Sequence, residues 1–255
     1  MSRYALYSAA VAKARAMYAQ RLTEGDWAQL ESLGSVRRIG EYLHQSKAWS
    51  SAAVTDDAQA LCGSLSDELQ NRYRRLCLYL RHERDREYMA FFLRRKTHAL
   101  AYDNDDYEKL RACVEKNYRG LSRLALKKLL GAEADMLNLV YILRLRRFPG
   151  SLPQAQTRLI PVRMELSKKL IGALLAAPDD EAVLRALRGT AWENVLRDLS
   201  PAALDSAYER YMESFCQKLV TGGDPSAAVP MAYMMLSELA RLRLTRLIQR
   251  TKQGR

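Results

Sequence analysis

The stretch that decides the fold is Glu133-Ala-Asp-Met-Leu-Asn-Leu-Val-Tyr-Ile-Leu-Arg-Leu-Arg-Arg147. Its apolar residues recur at the 3.6-residue period of one helix face. The residues that follow this period are Met136, Leu139, Val140 and Leu143. Acidic residues at the start of the stretch and arginines at its end favour the helix dipole, so we expect a helix that begins near Glu133. Pro149-Gly150 is expected to end it.

Two other stretches, 85–96 and 238–250, resemble this one. Aligning Asp85 with Asp135 places Arg94 on Arg144, and in the third stretch Glu238 takes the acidic position. Each copy has an acid, an apolar helical face and a basic end, which indicates a threefold internal repeat.

A second repeat involves two tryptophans. Leu43-His-Gln-Ser-Lys-Ala-Trp49 resembles Leu187-Arg-Gly-Thr-Ala-Trp192 with one residue inserted. Each stretch ends a short amphipathic helix, at 36–43 and at 183–187. We expect both tryptophans to be packed in the core, where each closes a helical hairpin against long helices.

The rest of the chain also favours helices. All 7 prolines lie at or after Pro149, and no sustained strand pattern or hairpin dipeptide occurs. We therefore predict an all-α protein with a linker at 149–161. The main helices are expected at about 4–22, 36–43, 57–81, 85–96, 107–130, 133–147, 201–220 and 228–252. Thr55 is the expected cap of the helix at 57–81, and Gly63 is a position where that helix could break.

Composition limits the class of protein. The chain has 255 residues and a net charge of +12, so it has enough residues for a sizeable core and is expected to attract nucleic acid, anionic lipid or an acidic protein face. No apolar run approaches the roughly 20 residues of a membrane span, and the N-terminus lacks a signal-peptide pattern. We expect a cytosolic protein. Its four cysteines are predicted to be buried and not paired in disulfides: Cys62, Cys77, Cys113 and Cys216.

The central stretch is similar to the C subunit of V-type (A-type) rotary ATPases, which in eukaryotes is the d subunit. The family pattern is matched by Asp135, Asn138, Leu139, Leu143 and Arg144. The first helix, 4–22, the step at 187–192 and the stretch 231–240 also resemble this family, so the likeness covers almost the whole chain. The other two copies depart from the pattern, because Tyr88 and Arg241 replace Asn138.

The resemblance implies three related helical subdomains that form a funnel-like repeat array. We place them at 1–98, 99–148 and 149–255. The middle subdomain is expected to be truncated, because the copy that ends at Lys96 is followed almost directly by Tyr107 and has no Leu-to-Trp hairpin.

The same resemblance implies a non-catalytic connector of the central stalk. Such a connector couples the rotor shaft to the membrane proteolipid ring during ATP-driven proton or sodium transport. The implied partners are central-stalk rotor subunits and proteolipid ring subunits, and the implied location is the cytoplasmic face of the membrane, which the chain contacts only through the ring.

Basic residues at the ends of the repeat helices are the candidate partner-binding residues. They are Arg94, Lys96, Arg144, Arg146, Arg241 and Arg243. We expect Arg94, Arg144 and Arg241 to lie at corresponding places in the three subdomains. Docking through such polar surfaces is expected to weaken as salt rises.

The sequence carries no pattern of an enzyme site. His44, His82 and His98 are isolated, and His82 with Asp85 supplies too few ligands for a metal. Thr221-Gly-Gly-Asp lacks the lysine and the spacing of a phosphate-binding loop. We therefore expect no catalytic residue, cofactor or metal.

Two alternatives remain open at this stage. One is a basic helical nucleic-acid-binding protein, with a phosphate-binding face formed by 94–96, 127–128, 144–147 and 241–250. No helix-turn-helix signature accompanies these residues, and we do not expect nucleic acid as a partner. The other alternative is a generic helical repeat scaffold.

Overall fold

A computed structural model describes residues 6–97, 104–148 and 158–254. In this part the chain forms 11 helices and no strand, which confirms the all-α prediction. The chain divides into two compact units. The first comprises Met1–Arg86 and Gln217–Arg255, and the second comprises Glu87–Cys216. The three-subdomain division stays a prediction.

The helices are numbered in chain order. In the first half of the chain they are α1 (Ser8–Ala19), α2 (Glu24–Ser32), α3 (Val36–Gln45), α4 (Ala58–Cys77), α5 (Glu83–Thr97) and α6 (Asn104–Asn117). In the second half they are α7 (Gly120–Leu145), α8 (Lys168–Ala176), α9 (Asp180–Leu187), α10 (Pro201–Thr221) and α11 (Ala228–Lys252).

Capping side chains set the starts of several helices. Thr23 begins α2 with a capping box that it shares with Asp26, and the Ser35 side chain accepts the Arg38 N–H at the start of α3. At α4 the cap is Asp57 and not Thr55, because the Asp57 carboxylate accepts the Gln59 N–H at 2.8 Å. Helix α4 passes through Gly63 without a break.

The main disagreement with the predicted helices lies at 107–147. Helix α6 ends at Asn117, and Tyr118 and Arg119 separate it from α7. Helix α7 then runs without interruption from Gly120 to Leu145. Gly120 has a φ of 56°, a left-handed conformation that glycine adopts at little cost. Glu133 and Asp135 therefore lie in the middle of α7, and both are fully buried. The prediction that they begin a helix and interact with its dipole is wrong.

The two tryptophan hairpins have the same pattern of local hydrogen bonds. Ser46 Oγ donates to the Leu43 carbonyl at 2.6 Å and accepts the Trp49 N–H at 3.0 Å. Thr190 Oγ1 makes the same pair of bonds, to the Leu187 carbonyl at 2.6 Å and from the Trp192 N–H at 3.2 Å. Both tryptophans are 1% exposed, which confirms that they are core residues.

Each hairpin packs in the core of one unit. In the first unit Trp49 lies among buried residues of α3, α4 and α11, including Leu43, Leu61 and Leu244. In the second unit Trp192 lies with buried residues of α7, α9 and α10 and contacts the Tyr211 ring, the two ring centroids being 5.0 Å apart. The distance from tryptophan to the next helix cap is eight residues in both cases, to Asp57 and to Ser200.

Candidate partner-binding surface

One face of α7 binds the backbone of the segment that precedes α8. Gly131, Asp135 and Asn138 are spaced four and three residues apart, so they share that face. The Asp135 carboxylate accepts the N–H groups of Met164, Glu165 and Leu166, the shortest at 2.6 Å.

Asn138 and Gly131 complete this contact. The Asn138 side chain donates to the Ile160 carbonyl at 3.0 Å and accepts the Ile160 N–H at 2.8 Å. A methyl group on Gly131 would lie 2.8 Å from Met164 Cβ, so only glycine lets this segment approach so closely. The Asp and Asn of the family pattern thus hold residues 160–166 against α7.

Burial and hydrogen bonding act on Asp135 in opposite directions. Burial of the side chain raises the pKa of Asp135, and the three backbone N–H donors oppose this increase without reversing it. The neighbouring buried acid, Glu133, accepts a hydrogen bond from the Tyr208 hydroxyl at 3.1 Å. Both acids therefore have structural partners inside the second unit.

The acids at the corresponding position of the other two copies are also buried, at 1% exposure for Asp85 and 2% for Glu238. Their partners differ. Asp85 accepts a hydrogen bond from the Tyr7 hydroxyl at 3.3 Å, whereas Glu238 binds Arg241 on its own helix. The alignment predicted three equivalent acids, and the structure places all three inside the protein with different surroundings.

At the C-terminal end of α7 the arginines bind neighbouring elements. Arg146 donates to the carbonyls of Leu174 and Ala177, where α8 ends, and Arg147 donates to the Leu199 carbonyl at 2.8 Å. Arg144 forms an ion pair with Asp205 on α10 and keeps 38% of its side chain exposed. Of these three arginines, Arg146 has a clear packing role, and Arg144 remains accessible.

Arginines of α11 are held in a similar way. Arg241 forms two hydrogen bonds of 2.7 Å with Glu238, which raise the pKa of its guanidinium, and its side chain is only 16% exposed. Arg243 lies over the Trp27 ring, 4.1 Å from its centroid, and contacts Glu31 at 3.2 Å. Its side chain is 40% exposed.

The correspondence of Arg94, Arg144 and Arg241 in three subdomains stays a prediction. Arg144 lies in the last turn of α7, whereas Arg241 lies in the middle of α11, three residues after its own acid. Arg94 is exposed on α5. The side chain of Lys96 and the whole of His98 lie outside the described residues.

Sequence reasoning missed a buried ion-pair network in the first unit. The Arg72 guanidinium lies 4.1 Å from the Trp49 ring centroid, contacts Glu68 at 3.4 Å and donates to Ser237 Oγ at 3.3 Å. Glu68 also accepts a hydrogen bond from Ser51 at 2.6 Å. The four-residue spacing of Glu68 and Arg72 was visible in the sequence, but their burial was not.

The remaining candidate features of the described residues are cysteines, metal-binding groups and membrane-spanning helices. All four cysteines are free, and burial raises the pKa of the Cys62 and Cys77 thiols. Across 6–97, 104–148 and 158–254, His, Cys, Asp and Glu form no group of three or more that could hold a metal. Within the same ranges, no helix has the length and apolar character needed to cross a bilayer.

Comparison with known families agrees with the motif on α7. A model of the family described as ATP synthase (C/AC39) subunit matches residues 99–254, which is more than half of the chain. The chain belongs to this family, the C/AC39 subunits of V/A-type ATPases. A search of curated proteins gives no match.

Members of this family are structural subunits of the V/A-type ATPase stalk. The partners of a C/AC39 chain are accordingly other subunits of that complex. The matched region includes α7 with Asp135 and Asn138, the second tryptophan hairpin and α11. The nucleic-acid-binding alternative is not favoured by this match.

Proposed function

We propose that the chain is a non-catalytic connector of the central stalk that couples the rotor shaft to the membrane proteolipid ring during ATP-driven proton or sodium transport. The observation that carries this proposal is the family match over residues 99–254. Central-stalk rotor subunits and proteolipid ring subunits are the proposed partners, and the cytoplasmic face of the membrane is the proposed location.

The repeat organisation belongs to the same proposal. Related subdomains at 1–98, 99–148 and 149–255, with the middle one truncated, would give a connector several similar docking faces. The shared hydrogen bonds around Ser46 and Thr190 support a common origin for the first and third subdomains.

We propose that the accessible arginines of the predicted set contact the partner subunits. Arg94, Arg144 and Arg243 are at least partly exposed, and Lys96 belongs to the same set. Arg146 and Arg241 are assigned a positioning role, because Arg146 binds main-chain carbonyls at the end of α8 and Arg241 is only 16% exposed beside Glu238. A carboxylate-rich partner face would suit such arginines.

The connector is tested by affinity capture of the tagged full-length chain from a mild-detergent extract of its own cells, followed by mass spectrometry. Recovery of stalk and proteolipid subunits is expected. Recovery of nucleic acid with its processing proteins, and of no ATPase subunit, would overturn the connector function.

Charge-reversal variants sharpen this test. Arg144→Glu and Arg243→Glu are expected to reduce recovery of the ATPase subunits, because each replaces an attraction by a repulsion at the proposed interface. Arg37→Glu is the matched control, since Arg37 is 56% exposed, forms a surface ion pair with Glu41 and lies outside the proposed set. Equal loss in all three variants would assign the effect to net charge alone and would contradict the named residues.

A further inference from the structure

The turn between α4 and α5 presents two large apolar side chains to solvent. Leu78 is 83% exposed, the highest value among the large apolar residues described, and Tyr79 is 41% exposed. Singly exposed apolar residues are common at protein surfaces. These two are consecutive and lie in one turn, so both side chains belong to the same exposed surface.

The backbone of this turn is held in place. Leu76 and Leu80, on either side of the exposed pair, are buried at 0% and 2%. The Tyr79 N–H donates to the Leu76 carbonyl at 2.9 Å, and Arg86 donates to the Leu80 carbonyl at 3.0 Å. Leu78 therefore projects from a preformed turn that is anchored on both sides.

Basic residues flank the exposed pair in the sequence. Exposed arginines precede the turn at positions 74 and 75 and follow it at positions 81 and 84. Arg75 pairs with the buried Glu68 and Arg84 lies near the buried Asp85, and both arginines keep more than 40% of their side chains exposed. Lys13, on α1, adds a further cation 5.8 Å from the centroid of the Tyr79 ring. The acids of 74–86 are Glu83, which is exposed, and Asp85, which is buried, so positive charge dominates the surface of the turn.

We propose that this turn, residues 74–84, binds the anionic phospholipid headgroups of a membrane surface. Apolar side chains at the tip can enter the boundary between headgroups and acyl chains, while arginines around them bind phosphate oxygens. A tyrosine with an apolar ring and a polar hydroxyl suits the same boundary.

The exposure of Leu78 favours a lipid surface over an acidic protein face. A protein partner would have to supply a fitted pocket for Leu78, because apolar anchors at protein interfaces are desolvated in pockets. A headgroup layer accommodates a projecting leucine without such a pocket. The proposal departs from the expectation that the chain contacts the membrane only through the ring. It does not depend on the connector function, since lipid binding can be measured with the chain alone.

Vesicle flotation with the purified full-length chain tests the proposal. The two lipid compositions are phosphatidylcholine alone and phosphatidylcholine mixed with phosphatidylglycerol. Binding is expected to the mixed vesicles only and to decrease at high salt, because the attraction to an anionic surface is screened. Absence of binding to both compositions, or equal binding to both, would overturn the proposal.

Matched variants locate the contact. Arg81→Glu changes the local charge by two and is expected to weaken binding by about 25-fold, at roughly fivefold per charge. Arg37→Glu makes the same change elsewhere on the surface and is expected to have a much smaller effect. Leu78→Ser is expected to weaken binding several-fold, whereas Leu124→Ser, at a leucine that is 56% exposed, is expected to leave it unchanged.

Two results would overturn the assignment to this turn. One is an equal loss of vesicle binding in the Leu78→Ser and Leu124→Ser variants. The other is normal vesicle binding by Leu78→Ser together with failure of this variant to capture ATPase subunits, which would assign the turn to a protein partner. All four substituted side chains are exposed, so circular dichroism is expected to show unchanged helix content.

Discussion

Asp135 is the residue on which the α7 contact with 160–166 depends most. Its carboxylate accepts the backbone N–H groups of Met164, Glu165 and Leu166. In Asp135→Ala these donors lose their acceptor. The Leu166 donor is buried and the other two are partly buried, and an unsatisfied buried donor costs about 1–3 kcal/mol. We therefore expect the free energy of unfolding to fall by about 1–3 kcal/mol, measured by urea denaturation.

Asp205→Ala is the control for this prediction. Asp205 also forms a charged contact in the second unit, with Arg144, but its side chain is 59% exposed. Exposed ion pairs contribute about 0–1 kcal/mol, so this variant is expected to remain close to the wild type. Equal destabilisation by the two substitutions would show that the backbone hydrogen bonds of Asp135 stabilise the fold no more than an exposed ion pair does.

The raised pKa of Asp135 predicts that the stability of the fold depends on pH. Burial raises the pKa of this carboxyl in the folded state above its unfolded value of about 3.9. Between the two pKa values the folded state binds more protons than the unfolded state, so this group's contribution to stability decreases as pH rises through that window and is constant above the folded pKa. The stability advantage of the wild type over Asp135→Asn is therefore expected to shrink as pH rises above about 4.

The measurement is a series of urea titrations of the two proteins at increasing pH. Asp205→Asn is the control substitution, because it makes the same Asp-to-Asn change in the second unit at a side chain that is 59% exposed. A wild-type advantage that grows with pH would mean that the three N–H donors outweigh burial at Asp135.

At the scale of helices, several starts were predictable and the long-range contacts were not. Ser35 and Ser200 cap α3 and α10, which begin where the helices at 36–43 and 201–220 were expected, and α11 has the bounds that its pattern predicts. Local capping depends on neighbours in the sequence, so a pattern can reveal it.

The acids of α7 were misread because a buried acid that precedes an apolar run has the same sequence pattern as an acid in the first turn of a helix. Only the backbone at 164–166, about 30 positions later in the chain, distinguishes the two cases. The internal partners of Arg146 and the burial of Arg241 beside Glu238 likewise depend on packing between elements. The candidate surface was therefore predicted as a set of basic residues, without knowledge of which ones the fold uses internally.

Two glycines inside helices give a matched test of close packing at this scale. Gly63 lies in α4 with open space around it, whereas a Cβ on Gly131 in α7 would lie 2.8 Å from Met164 Cβ. Alanine is favoured over glycine within a helix by about 1 kcal/mol, so Gly63→Ala is expected to stabilise the protein by about that amount. Gly131→Ala is expected to destabilise it, because Met164 meets the new methyl group with Cβ and backbone atoms.

Thermal or urea unfolding of the two variants checks this prediction. Both variants have the same change in helix propensity. The difference between their free energies of unfolding therefore measures the cost of separating α7 from residues 163–164. Stabilisation by both substitutions would show that the segment moves away from α7 at little cost, and would weaken the role assigned to the Asp135 contact.

At the scale of the whole molecule, the excess of positive charge predicts how the chain meets its partners in the ATPase. The net charge is +12, and some arginines are committed to internal contacts while others, such as Arg144 and Arg243, remain partly exposed. The Debye length falls from about 10 Å at 0.1 M salt to about 3 Å at 1 M, so attraction between exposed charges is strongly screened over this range. Capture of ATPase subunits by the tagged chain is therefore expected to decrease steadily as the salt concentration rises from about 0.1 M to about 1 M.

The unfolding midpoint of the isolated chain, measured at the same salt concentrations, is the control. Exposed ion pairs such as Arg37–Glu41 contribute little to stability, so the midpoint should change far less than the capture does. If capture falls while the midpoint is steady, the loss belongs to the interface and not to unfolding. Capture that is unchanged by salt would instead indicate an apolar interface, and the exposed arginines would then lose their proposed role in docking.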